Sequence, residues 1–398
     1  MSITSKGLSV RASASWLAGL ATAALTPGAA LARGTARAPD PIWLKWDFSP
    51  WLVIPTVIAL ILWWRGIEKR PTALDAAPVR SLAFPAGVFL TFVSLASPID
   101  GMADHLFWMH QVQHMLLRMM GPMLIAFGQP QATLVAGSPN WLRRGPIAFV
   151  LTSGPCRRLF AFLTDPWVAT TLFVASLYVW QWPPFHDTAI LHDGVHDSMH
   201  FTMLAAGLLF FWRVFDQRPP PKGARFGVRL IMLWIGTLAN VPIGAFICFK
   251  SVELYPAYDV VGRLFGVTPM ADERLGGFIM WAPASMMMLI PLLVVIHAWA
   301  GQEERTLVRR GGAAAGESAP VTPRSGVTVE EVGKNRAFAL ALAAFPGFIL
   351  AATVVIAIFV IHEHRVRAEP AWRPAASPSA PPMETSGRTQ PVILSAQQ

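Results

Sequence analysis

Apolar segments recur along the chain, separated by polar gaps, and each is about as long as a helix must be to cross a membrane. Eight such segments lie near residues 48–64, 81–97, 105–127, 167–183, 195–212, 230–249, 275–299 and 337–361. Lipid offers no hydrogen-bond partners to an open backbone, so each span is expected to be helical. The pattern therefore predicts an all-α, polytopic transmembrane helix bundle with about seven to eight spans.

The first 32 residues have the pattern of a secretory signal peptide. Lys6 and Arg11 precede an apolar run over 16–25, and the small-residue sequence 30–32 follows it. This order predicts cleavage after Ala32, with a retained N-terminal helix as the alternative. Cleavage would leave the mature N-terminus outside the cell membrane.

The remaining chain divides by composition into four parts. Residues 42–300 are predicted to form a seven-span membrane domain, 301–336 a cytoplasmic polar loop, 337–361 an extra C-terminal span, and 362–398 a flexible extracytoplasmic tail. Lys and Arg are more frequent in the connections that this topology places inside, as the positive-inside rule requires. We expect a multi-pass protein of the cell (inner) membrane.

Composition excludes other protein classes. Of 398 residues, 54% are hydrophobic and only 14% charged, which is incompatible with a soluble or disordered chain. The net charge of +9 comes from short basic clusters between spans rather than from one basic face. The charge therefore indicates membrane topology, and no nucleic-acid partner is expected.

Histidines at four-residue spacing supply the candidate chemistry. His110 and His114 lie on the third span and His196 and His200 on the fifth, and this spacing puts each pair on one helix face. Both spans run inward and carry their pair in the first turns, so the pairs are expected at matched depth in the outer half of the membrane. Ionisable side chains in lipid are costly unless paired or bound to a metal. We therefore interpret the four histidines as a metal site.

Further residues near these pairs are weaker ligand candidates, namely His105, His192, Met199 and Met203. His105 lies on another helix face or in the loop before the helix, whereas His192 extends the stripe of the fifth span. His186 is expected in a solvated loop. Arg118, within the third span, is expected either to balance Asp104 or Asp197 or to extend toward a polar interior.

The donor types favour copper. Imidazole accepts either copper oxidation state and thioether favours Cu(I), while zinc bound by imidazole alone is an alternative. Haem b is another, because one histidine from each of two helices can supply both axial ligands. Four histidines exceed what one haem needs, which favours a small ion. Cys156 and Cys248 have no CxxC spacing and cannot form a thiolate cage.

Several segments, in order, resemble the membrane-integral cytochrome c oxidase assembly factors of the caa3-type CtaG family. They are Ser97-Pro98-Ile99-Asp100, His110-Gln111-Val112-Gln113-His114, Gly121-Pro122, Trp182-Pro183, His196 with His200, Leu254-Tyr255-Pro256-Ala257-Tyr258, and the segment 272–283 that ends in Met280-Trp281-Ala282-Pro283. The resemblance covers roughly residues 48–300. The signal-like start, the eighth span and the tail lie outside it.

The resemblance implies a non-enzymatic assembly factor for a haem-copper cytochrome c oxidase, which binds copper and hands it over at the extracytoplasmic side. Its implied partners are the oxidase subunits, the lipid bilayer and other copper chaperones. His110, His114, His196 and His200 are the family-type positions, while Asp272 and Trp281 are implied to be structural or at the outer rim. Gln181 stands where a Trp-His-x-Pro pattern would have a histidine.

Three other functions remain open at this stage. A haem b-binding membrane electron carrier would use the same histidines. A metal or small-molecule transporter would need polar residues that continue to the inner side, for which Asn240 and His297 are the candidates. A non-metal assembly scaffold would need neither histidine pair.

Overall fold

A computed structural model describes residues 45–70, 78–220 and 222–316, and these residues form helices without a strand. The all-α prediction is confirmed for this part of the chain, which belongs to one compact unit. The predicted signal peptide, the extra span at 337–361 and the tail at 362–398 lie outside the described residues.

All seven predicted spans before residue 300 are helical. In chain order the α-helices are α1 Pro50–Lys69, α2 Pro78–Ala96, α3 Pro98–Ala103, α4 Phe107–His114, α5 Gly121–Gly128, α6 Gln131–Gly137, α7 Asn140–Leu142, α8 Ala148–Thr152, α9 Gly154–Leu163, α10 Pro166–Gln181, α11 Pro183–Leu191, α12 Asp193–Val214, α13 Phe226–Phe249, α14 Ala257–Val261, α15 Pro269–Met287 and α16 Leu289–Gly316. Helix α16 continues past residue 301, so the predicted polar loop begins as helix and is described only to Gly316.

Fewer helices of the described chain pass a length-and-composition test for membrane spans than the seven to eight spans predicted. By length and composition, four helical segments of the described chain can cross a membrane, namely α1, α2, α13 and the combined stretch Pro269–Thr306. A fifth is obtained if α9 and α10, which meet at an angle of 64°, count as one broken span. The third predicted span fails this test because it is divided into short helices, and α12 fails because the polar residues at its start lower its hydropathy.

The third predicted span changes its helical form midway. Helix α4 passes into a π-helical segment, Met115–Met120, which we call π1, and then into α5. The residues at both junctions keep right-handed helical backbone angles, so the rod is continuous. Such π-helical turns occur frequently at functional sites. Here π1 follows directly after the two histidines of α4.

The apolar core lies between α10, α12 and α13. Phe173 of α10 stacks on Phe210 of α12 with ring centroids 4.2 Å apart, and Leu230 and Met232 of α13 are fully buried in the same cluster. Offset stacking of this kind adds to the burial of apolar area. This core fixes α12, which carries two of the candidate histidines, relative to α10.

Helices α13 and α15 approach each other closely at two glycines. A Cβ atom added to Gly244 would lie 2.9 Å from the Gly277 carbonyl oxygen and 2.7 Å from Trp281 Cβ. Small residues allow this contact, which lets apolar helices pack without side chains between their backbones. The position of α15 relative to α13 therefore depends on this pair.

We predict that Gly244→Ala destabilises the protein by about 1–3 kcal/mol, because the added methyl group overpacks a backbone contact. Unfolding of the detergent-solubilised protein measures the effect. Gly227→Ala on the same helix is the matched control, since no atom lies within 4 Å of its added Cβ. Equal stability of the two variants would contradict the close contact.

Candidate metal centre

The histidines predicted from spacing converge in the structure. His110 and His114 of α4 and His200 of α12 are buried, and each offers a ring nitrogen within 4.8 Å of the others. His196 borders this trio, with its ring centroid 4.4 Å from that of His200 and 5.2 Å from that of His110. We call His110, His114 and His200 the histidine cluster.

The weaker candidates have other contacts. His105 Nδ1 lies 2.8 Å from the Gly262 carbonyl oxygen, and His192 Nδ1 lies 3.0 Å from that of Thr188. Neither belongs to the histidine cluster. Met199 and Met203 are fully buried on α12 and pack with Ala189 in a small apolar cluster.

Two residues outside the predicted ligand set extend the cluster. His186 of α11 is fully buried, although it was expected in a solvated loop. Its Nδ1 lies 2.9 Å from the Trp180 carbonyl oxygen, and its Nε2 lies 2.9 Å from the Tyr258 hydroxyl. That hydroxyl is in turn 2.9 Å from His110 Nδ1. We call His186, Tyr258 and His110 the hydrogen-bond chain.

The partners in this chain fix the position of each proton. The Trp180 carbonyl can only accept, so His186 Nδ1 carries a proton and its Nε2, in the neutral ring, accepts. Tyr258 therefore donates to His186, and its oxygen accepts from His110 Nδ1. The remaining ring nitrogen, His110 Nε2, is left with a lone pair. A hydrogen bond from the far nitrogen is how proteins orient metal-binding histidines.

The lone pair of His110 points to the other histidines. Its Nε2 lies 2.8 Å from His114 Nε2, which must donate a proton to it. His114 Nδ1 and His200 Nε2 are buried and have no hydrogen-bond partner among the described residues. Buried polar atoms without partners are costly, and a bound ion relieves that cost. A small ion with nitrogen ligands at about 2.0–2.1 Å needs ligand atoms roughly 3.3 Å apart, which small ring movements can reach.

Asp272 anchors the helix that carries this site. Its carboxylate accepts the backbone N–H groups of Phe107 and Trp108, both at 3.0 Å, at the first turn of α4. Arg263 donates to the same carboxylate at 2.5 Å. An acidic side chain stabilises a helix start because it pairs free N–H groups and the positive end of the dipole. Asp272 therefore has the structural role that the family resemblance implied.

The neighbouring Glu273 holds the segment that carries Tyr258. It is fully buried, pairs with Lys250, and accepts the backbone N–H groups of Leu254 and Tyr255, each at 3.0 Å. The Tyr255 hydroxyl then donates to the Gln181 carbonyl oxygen at 2.8 Å. These contacts join the loop before α14 to α10 and α15, and so position the hydrogen-bond chain.

Gln181, which departs from the family pattern, also lies beside the site. Its side-chain amide donates to Gln111 Oε1 of α4 at 2.7 Å, and both residues are buried. This contact links the ends of α10 and α4. In the described chain, Gln181 contributes a helix contact at the position where a histidine was expected.

The outer edge of the site is acidic. Asp104 Oδ1 lies 3.8 Å from His196 Nδ1. On α11, burial raises the pKa of Asp187 to about 6, although a hydrogen bond from the Ala257 backbone acts in the opposite direction. The Asp104 carboxylate, beside His196, attracts cations toward the cluster.

Arg118 of π1 has neither acidic partner that the sequence suggested. Its Nη2 donates to the Phe173 carbonyl oxygen at 2.7 Å, and its Nε lies 3.4 Å from Ser176 Oγ. Its guanidinium also lies over the Phe173 ring, 3.7 Å from the centroid. These contacts tie π1 to α10, one turn beyond His114.

Comparisons with known proteins agree with the resemblance. Residues 58–302, more than half of the chain, match the family model described as cytochrome c oxidase caa3 assembly factor (Caa3_CtaG). An uncharacterized protein of Mycobacterium bovis is 25% identical over 284 residues, which is 66% of this chain and 40% of the relative. An uncharacterized protein of Mycobacterium leprae is 26% identical over 275 residues, covering 66% of this chain and 41% of the relative.

The matches cover only part of each curated relative. The chain spans about two fifths of the length of these curated relatives. No solved structure gives a significant match. The family match covers the helices that carry the histidine cluster, Tyr258 and Asp272. The chain belongs to the family of cytochrome c oxidase caa3 assembly factors.

Proposed function

We propose that this protein binds Cu(I) at the histidine cluster and hands it to a subunit of a haem-copper cytochrome c oxidase. Transfer takes place at the extracytoplasmic side of the cell (inner) membrane, where the positive-inside rule puts the starts of α4 and α12. The observation that carries the proposal is the approach of three buried imidazoles to within 4.8 Å of one another. Family membership supplies the link to oxidase assembly.

The charge of the ligands favours a monovalent ion. The three imidazoles bind a metal as neutral groups, and neither cysteine belongs to the cluster. An ion in a buried site without a negative ligand keeps its full charge, and the cost of burial rises with that charge. Cu(I) therefore suits this ligand set better than Zn²⁺ or Cu²⁺.

The spacing of the rings favours a small ion over haem b. The centroids of His110, His114, His196 and His200 lie 4.2–5.9 Å apart in the measured pairs. A porphyrin would have to enter between rings that are already in contact. A single ion needs only the replacement of the His110–His114 hydrogen bond.

Delivery requires a metal that can leave. Three imidazoles, with His196 at the edge, form a ligand set that an oxidase subunit can compete with by supplying its own donors. Other copper chaperones are the proposed source of the ion. We propose no catalytic step, so the protein acts by binding, holding and releasing its cargo.

We predict that His110→Ala and His200→Ala each remove bound copper from the full-length protein purified from copper-supplemented cells. Each substitution deletes a nitrogen donor from the cluster. Elemental mass spectrometry measures the copper-to-protein ratio. His105→Ala and His192→Ala, which lie outside the cluster, are the matched controls and should retain the parent ratio.

Other results of that measurement would replace the proposal. Iron with a Soret absorption band would indicate the haem b carrier. Copper retained by both cluster variants would place the metal elsewhere. Absence of metal from the parent protein would leave the non-metal assembly scaffold as the better account.

We predict that Tyr258→Phe lowers Cu(I) affinity by roughly 10- to 100-fold, the usual effect of removing a residue that orients a metal-binding histidine. Without the hydroxyl, His110 Nδ1 has no acceptor and the proton can move to Nε2. Competition with a chromogenic Cu(I) chelator measures the affinity. Tyr178→Phe is the control, because its hydroxyl donates to Ala239 away from the cluster; equal losses in both variants would contradict the role of Tyr258.

We predict that cells lacking this protein have low cytochrome c oxidase activity, restored by the parent gene but not by the His110→Ala/His200→Ala variant. Without the cluster, the oxidase is expected to lack copper while its protein subunits are still made. Oxidase activity and copper content in membranes measure the effect. Full restoration by the double variant would show that assembly does not need the cluster.

A further inference from the structure

Arg118 is a buried cation in the middle of the continuous rod formed by α4, π1 and α5. Only 3% of the residue is exposed, and no carboxylate of a described residue forms an ion pair with it. Its contacts are one carbonyl oxygen, one hydroxyl oxygen and the face of the Phe173 ring. A charge in this setting is expensive and usually serves a function. A neutral side chain could make the same helix contact at lower cost.

The position of Arg118 relates it to the histidine cluster. It follows His114 by four residues along one continuous rod, and residues at this spacing are neighbours on a helix surface. Its guanidinium is held against α10 at Phe173 and Ser176. The charge is therefore held one turn beyond His114 along the rod, at a fixed place, and cannot turn away from a bound ion.

We propose that Arg118 is a fixed positive charge that weakens Cu(I) binding at the histidine cluster and keeps the ion exchangeable. The inference rests on the proposed function. Two like unit charges on neighbouring helical turns, in a medium with an effective dielectric constant of about 20, repel strongly enough to lower affinity by roughly tenfold or more. The three imidazoles are neutral, so no ligand charge offsets this repulsion. Arg118 thereby opposes tight retention without occupying a ligand position.

The alternative is a purely structural role, in which Arg118 only ties π1 to α10. Charge and contact can be separated by substitution. Arg118→Gln removes the charge, Arg118→Lys keeps it, and Ser176→Ala removes one hydrogen-bond partner with the charge intact. Ser176→Asp provides an independent variant, because it places a carboxylate against the unaltered arginine and neutralises it there.

The test measures Cu(I) affinity and dissociation rate of the full-length protein in detergent by competition with a chromogenic chelator. Arg118→Gln and Ser176→Asp should each bind Cu(I) at least tenfold more tightly and release it more slowly. Arg118→Lys and Ser176→Ala should stay within about twofold of the parent. Melting temperatures are measured alongside to establish that each variant is folded.

Two results would overturn the inference. One is unchanged Cu(I) affinity in the folded neutral variants, which would leave Arg118 as a structural contact while the proposed function stands. The other is equal weakening in Arg118→Gln and Arg118→Lys, which would mean that the contact and not the charge supports the site. If Arg118→Gln fails to fold, Ser176→Asp decides between the two roles. Failure of the parent to bind Cu(I) would instead refute the proposed function itself.

Discussion

The carboxylate of Asp272 fixes the start of α4, and the geometry of the candidate site depends on that contact. By accepting the first two N–H groups of the helix, it sets the depth and rotation of α4 relative to α15. His110 follows within one turn and His114 within two, so the rotation of α4 set by Asp272 also sets the direction in which these two side chains point. Arg263 keeps the carboxylate paired, and Glu273, the next residue, holds the loop that leads to Tyr258. One turn of α15 thus organises both the ligands and their support.

The candidate site has neutral imidazoles at its centre, and its charged side chains lie around them. The Asp104 carboxylate lies at one edge of the site, imidazoles occupy its centre, and the Arg118 guanidinium lies one turn beyond His114. A cation that approaches past the carboxylate would be attracted by it, bound by the imidazoles and repelled by the guanidinium beyond them. This arrangement suits the proposed exchange of an ion on one side of the membrane better than conduction across it.

The sequence predicted the parts of this structure that depend on regular spacing. Four-residue intervals identified His110, His114, His196 and His200, and apolar segments located every described span as helix. His186 and Tyr258 were not assigned to the site, because each is a single residue in a short helix with no periodic pattern to mark it. Tyr258 entered only as part of a family-type segment. Fewer described helices qualify as membrane spans than predicted, because the polar residues of the site lower the hydropathy of α12 and the third predicted span is divided into short helices. Only the tertiary contacts show which isolated polar residues meet.

The hydrogen-bond chain has an evolutionary consequence. Each member donates one hydrogen bond and accepts another. The Trp180 carbonyl oxygen therefore sets which ring nitrogen of His110 carries the proton, through His186 and Tyr258. Replacement of one member leaves a neighbour's proton without an acceptor, and contacts that share a network do not contribute additively. Selection is therefore expected to act on the three residues as one inherited trait, with joint replacement better tolerated than any single step.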